Sequence, residues 1–79
     1  MNIHYELTDT FGGESNYSWV RRHHEQVDDT CQPSDRTLIR RAKAWAGWSG
    51  LRCRVENHGD LIAIRPSGIC QVLFITFNV

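Results

Sequence analysis

The stretch from Leu61 to Phe77 decides what this chain can become. LIAIRP is apolar on both faces until Arg65, and CQVLFITFNV is apolar on both faces from Val72 to Phe77, broken only by Thr76. Short apolar runs bounded by turn residues read as interior strands of a sheet, with cover needed on both sides. Pro66-Ser67-Gly68 separates the two runs, and Asn57-His58-Gly59-Asp60 precedes the first. Both are turn chemistry. Ahead of them LRCRVEN alternates, with Leu51, Cys53 and Val55 inward and Arg52, Arg54 and Glu56 outward.

The N-terminal third carries two more strands. From Asn2 to Thr8, Ile3, Tyr5 and Leu7 fall on one side and His4 and Glu6 on the other. Asn16 to His24 reads as a second strand, with Tyr17, Trp19 and Arg21 on one face and Ser18, Val20 and Arg22 on the other. Asp9-Thr10-Phe11-Gly12-Gly13 lies between them. Glycine takes positive φ without a steric penalty, so a hairpin is the simplest connection.

Glu25 to Ser34 is a mostly polar loop with one proline. The helix signal is SDRTLIRRAKAWAGWSG. Ser34 or Asp35 can accept hydrogen bonds from the first-turn N–H groups, and Gly50 suits a left-handed stop. At about 100° per residue, Leu38, Ile39, Ala42, Trp45 and Ala46 form one apolar stripe. Arg36, Arg40 and Lys43 cluster opposite it, and Arg41 and Trp48 sit at one edge. Gly47 weakens the last turn by about 1 kcal/mol relative to alanine.

The order β-β-α-β-β-β predicts an α+β fold: a single antiparallel sheet of about five strands with one helix packed on one face. The 79 residues form a single domain, residues 1–79, with a modest core. One helix covers one face only. The other face is left with some of Leu61, Ala63, Leu73, Ile75 and Phe77, so the sheet either curls strongly or meets a partner, a second copy included.

With 41% hydrophobic and 23% charged residues the composition is that of a globular domain. The sequence has no apolar run near the length of a membrane span. MNIHYELTD lacks the basic and apolar regions of a signal peptide, so cytoplasmic residence is expected. Three cysteines without C-x-x-C spacing read as free thiols. Cys53 and Cys70 are placed on strands among apolar neighbours, where thiols simply pack.

Catalytic patterns are missing. Gly12-Gly13 is followed by a strand rather than a helix, which makes it a turn and not a phosphate cradle. His23 and His24, adjacent on a strand, point to opposite faces and do not share a metal with Cys31 or His4. Cys31 lies between Asp28-Asp29 and Asp35, where negative charge disfavours the thiolate. Asp28 and Asp29, with Glu25 nearby, read as a solvated loop. The expectation is a non-enzyme without catalytic residues, metal or cofactor.

Two surfaces remain. Nine basic and nine acidic side chains cancel, yet Arg36, Arg40, Arg41, Lys43, Arg52 and Arg54 form a block without an acid. That block suits phosphates, with Trp48, Trp19 or Tyr17 stacking on bases, or else is a solvated face. The hairpin offers Tyr17, Trp19, Arg21 and Arg22, and large aromatics and arginines are the usual anchors of protein interfaces.

MNIHYELTDTFGGESNYSWVRR and GLRCRVENHGDLIAIRPSGICQVLFITFNV resemble small proteins carried by plasmids, integrative elements and phages of proteobacteria. The resemblance implies a mobile-element habitat and, through the many single-domain proteins of that setting, an inhibitor of the anti-CRISPR type. That class shares no motif, so no functional residue is carried over. Some of its members imitate DNA through dense negative charge, and this neutral chain departs from that pattern. Direct contact with a host effector protein subunit is therefore implied, with nucleic acid as the second choice.

Overall fold

A computed structural model describes residues 2–27 and 33–78. Asp28, Asp29 and Cys31 lie outside the described residues, and with them the metal, nucleophile and solvated-loop readings that involve them. The elements are β1 (Asn2–Phe11), β2 (Glu14–Gln26), α1 (Asp35–Ala46), β3 (Cys53–Asn57), β4 (Leu61–Pro66) and β5 (Gln71–Asn78). They form one antiparallel sheet in the order β2-β1-β5-β4-β3, as the sequence predicts for class and element order. The strand with the longest apolar run, β5, takes the central place.

The hairpin is longer than its pattern suggests. Asp9 and Thr10 stay in β1, and the Thr10 N–H donates to the Cys70 carbonyl at 2.9 Å. The turn shrinks to Gly12-Gly13, with φ of 63° and 85°. A two-residue loop with both φ angles positive matches the twist of the flanking strands.

Ser34, not Asp35, caps α1, accepting from the Thr37 N–H at 3.3 Å. Asp35 sits in the first turn, where the helix dipole favours an acid, and accepts from Asn57 Nδ2 at 3.1 Å. The helix stops at Gly47 (φ 82°) rather than Gly50. The Gly47 N–H donates to Ala44 O and the Trp48 N–H to Lys43 O, the paired closure of a left-handed cap. This reversal removes Trp48 from the edge of the helical stripe and drops it into the core at 4% exposure. Lys43 Nζ then donates to the Leu51 carbonyl at 2.7 Å and fastens the outgoing chain.

Cross-strand register sorts the side chains. Under the helix run His23–Tyr5–Ile75–Ile62 and Arg21–Leu7–Leu73–Ile64, against Leu38 and Ala42. Leu73 and Ile75 therefore belong to the covered face, and Phe77 packs against the same core. The opposite face carries Leu61, Ala63, Val72 and Phe74, which share their rows with His4, Glu6 and Thr8. Leu51 and Cys53 pack partly against the core, but Val55 lies exposed on the edge strand. Cys70 is exposed just before β5 rather than packed within it.

Two substitutions separate backbone from packing. An added Cβ at Gly47 meets nothing within 4 Å, so Gly47→Ala costs only the left-handed conformation, about 1 kcal/mol, or a Tm lower by roughly 4–8 °C. Trp48→Ala leaves a cavity and costs about 3–5 kcal/mol. Urea unfolding followed by circular dichroism reads both. A Gly47→Ala protein as stable as the parent would show that this cap does not set the helix end.

Candidate binding groove on the open face of the sheet

Two rows of directly opposed residues cross the face that lacks the helix. One is His24–His4–Thr76–Leu61; the next is Arg22–Glu6–Phe74–Ala63. A third row contains Val20, Thr8 and Val72. Thr8 and Val72 are 0% exposed, although among the described residues no helix lies on this side. The register of β1 against β2 shifts between Thr8 and Thr10, and Arg65 Nη1 on β4 donates to the Gly13 carbonyl at 3.0 Å. This bond ties the hairpin tip to β4. The rest of the face stays open as a groove of about 690 Å³, whose lining includes His4, His24, Arg22, Tyr17, Phe74 and Leu61. That volume lies in the range of ligand sites, roughly 300–1,000 Å³.

Tyr17 stands at this groove in a costly conformation. Its φ of 56° is the only positive value among the described non-glycine residues. A bulky residue held there costs about 1–3 kcal/mol, which persists only when the surroundings over-determine it. Here they do. Thr8 Oγ1 accepts from the Tyr17 N–H at 3.1 Å and donates to the Trp19 carbonyl at 3.0 Å. The Asp9 carboxylate accepts from the Ser18 N–H at 3.0 Å, from Ser18 Oγ, and from Asn16 Nδ2 at 2.9 Å. The Ser18 hydroxyl, with Asn16 behind it, holds the Asp9 carboxyl down to a pKa of about 2.

Charge on the open face is mostly spoken for. Glu56 meets Arg54 at 3.1 Å, Arg65 at 3.3 Å and His58 at 3.7 Å. Partial desolvation pushes its carboxyl upward, but Arg54, Arg65 and His58 together outweigh that and hold it below its ordinary range. Arg22 meets Glu6 through Nε alone, at 3.2 Å. Its side chain is 71% exposed, and its terminal nitrogens have no further partner among the described residues. The His24 ring stacks on His4 with centroids 4.8 Å apart, and Asn2 Oδ1 lies 3.0 Å from His24 Nε2.

The structure divides the hairpin candidates differently from strand alternation. Tyr17 and Arg22, expected on opposite faces, both line the groove. The left-handed residue and the register shift break the alternation between them. Arg21 turns to the helix side, with its guanidinium 5.0 Å from the centre of the Trp45 ring. His23 packs there too, against Tyr5 at 5.5 Å and Trp45 at 5.8 Å. The two histidines therefore point apart, as their adjacency predicts. Tyr5 Oη donates to Glu25 at 2.6 Å, and burial, reinforced by Glu25, pushes its phenol well above the ordinary range. Trp19 is 38% exposed.

Of the basic block, Lys43 is engaged with Leu51 and Arg54 with Glu56. Arg36, Arg40, Arg41 and Arg52 are exposed. His4, Phe74 and Thr76 are groove residues that sequence reasoning passes over. The alternation of β1 already sets His4 and Glu6 away from the core. Phe74 needs the phase of β5, which its two-sided apolar run conceals.

No group of three metal-binding side chains occurs among the described residues, and no helix among them is long and apolar enough to cross a membrane. No family model matches the chain, and no curated protein or solved structure matches it at a significant level.

The Asp9 clamp has a pH signature. A carboxyl whose folded pKa is depressed stabilises the fold above its unfolded value and loses that contribution as pH falls through the folded one. Asp9→Asn is therefore expected to be less stable than the parent at neutral pH, and the difference should close between about pH 4 and pH 2. Thermal melts across that interval check it. A gap that does not narrow assigns the loss to something other than the charge.

Proposed function

We propose that this chain is a small cytoplasmic, non-enzymatic binding protein that acts by direct contact with a protein partner through the groove and the rim of its hairpin. One observation carries the reading: the fold holds a large aromatic, Tyr17, in a strained left-handed conformation at the edge of an open groove with an apolar floor. Strain maintained by a dedicated clamp is a mark of function rather than of stability. Arg22 lines the same groove, and arginine, like tyrosine, is a residue type that anchors protein interfaces. Arg21 serves instead to hold β2 to the helix.

Joined to the resemblance to mobile-element proteins, this reading makes a host defence effector, of the CRISPR type, the partner to test first. The nucleic-acid alternative has weaker support, because Lys43 and Arg54 of the basic block are already bonded within the fold.

The test pairs capture with activity. Tagged parent protein and the double variant Tyr17→Ala, Arg22→Ala are expressed in a host with an active CRISPR system. The parent is expected to retain an effector subunit and to block interference, and the variant to do neither. A parent that blocks nothing and retains no host protein sinks the proposal, and a steep low-salt affinity for DNA would move it to the basic block.

Tyr17→Gly separates strain from folding. Glycine relieves the left-handed penalty but adds chain entropy, so stability should stay within about 1 kcal/mol of the parent or rise. Partner capture should fall at the same time. A variant that loses stability and keeps its partner would make Tyr17 part of the scaffold.

A further inference from the structure

The groove is apolar in its floor and singly charged at its rim, and that combination selects an occupant. Leu61 and Phe74 supply the floor, and Tyr17 with the stacked His4–His24 pair supplies flat walls. The face carries three arginines, Arg22, Arg54 and Arg65, against two glutamates, Glu6 and Glu56. Arg54 and Arg65 are held by Glu56, and Arg65 also by the Gly13 carbonyl. Of the three only Arg22 lines the groove, and, bound to Glu6 only through Nε and 71% exposed, it leaves its two terminal nitrogens without a partner among the described residues. Two parallel N–H groups of a guanidinium match one carboxylate.

We propose that the groove receives an extended segment of the partner protein in which one acidic side chain neighbours one bulky apolar side chain. The carboxylate sits on the terminal nitrogens of Arg22, and the apolar side chain lies on Phe74 and Leu61 beside Tyr17. Strand spacing sets the scale. Arg22 on β2 and Phe74 on β5 are two strands apart, about 10 Å at roughly 4.8 Å per strand. Side chains of nearby residues on an extended segment span that distance. A polyanion fits poorly, because its affinity grows with the number of phosphates neutralised, and here one partly free cation stands beside a carboxylate. This inference rests on the proposed protein-binding role and adds the chemistry of the segment recognised.

The test uses the full chain, immobilised and panned at neutral pH against random peptides displayed on phage. The enriched peptides are expected to carry Asp or Glu within a few positions of Phe, Tyr, Trp or Leu. For one such synthetic peptide, replacing its acid by the amide should weaken binding about tenfold or more, the scale of a charge-assisted pair. Arg22→Gln should cost the same, and the two changes together should cost little more than either alone. Circular dichroism confirms that Arg22→Gln is folded, and Arg22→Lys, which keeps charge but not the fork, should recover only part of the affinity.

Several results overturn the inference. They are enrichment without an acid, additive losses, no enrichment at all, or a single-stranded oligonucleotide that binds in an Arg22-dependent way where peptides do not. A chain that sediments as a dimer, with Arg22→Gln monomeric, would place a second copy in the groove and overturn it as well. Should a host partner be captured through Tyr17 and Trp19 while groove peptides fail to compete with it, the binding role stands and this inference falls. Should peptides bind as described while no host partner is retained, the inference stands and the effector reading falls.

Discussion

A strand that is apolar on both faces must be covered on both faces, and β5 imposes that demand on everything else. Val72, Leu73 and Ile75 are all fully buried, although they alternate between the two sides of the sheet. On one side α1 answers with Leu38 and Ala42, and the cap at Gly47 turns Trp48 into the same layer. On the other side the described residues supply no second helix. There the first hairpin is tied to β4, with Arg65 Nη1 donating to the Gly13 carbonyl. Central placement, lopsided layering and the open groove all follow from that one strand.

The register shift of the hairpin has a local mechanism. Thr8 and Asp9 turn their side chains to the opposite strand and take up hydrogen bonds that a regular ladder would have satisfied. Short polar side chains compete with secondary structure in this way wherever they can reach backbone groups. The exchange leaves no buried side-chain polar atom without a partner among the described residues. It also leaves Tyr17 in the left-handed region, so the Thr8–Asp9 clamp is what positions the aromatic at the groove.

Much of the fold was legible because period and punctuation agree. β1 alternates cleanly, LIAIRP is bounded by turn residues on both sides, and the stripe containing Leu38, Ala42 and Trp45 is helical in spacing. The failures share a cause, which is tertiary bonding that overrides a local pattern. Gly47 rather than Gly50 ends the helix because Trp48 is worth more in the core than on the surface. Asp9 and Thr10 read as turn residues yet remain in the strand through the pairing of Thr10 with Cys70. Half of the groove was visible as the outward side of β1 and as Arg22. The other half, Phe74 above all, was hidden because two-sided burial erases the alternation that gives a strand its phase.

The pairing of β1 with β5 joins residues from the two ends of the described chain, from Asn2 opposite Asn78 to Asp9 opposite Gln71. The hairpin at the start and the β3–β4–β5 meander can each form from neighbours in sequence, but the seam between them cannot. Contacts so distant along the chain carry the entropy of closing a large loop and slow folding. On the ribosome the sheet stays in two halves until its last strand emerges. Until then β1 presents an apolar edge with no partner, so the seam that organises the native protein is also the interval in which a nascent chain is most exposed to mispairing.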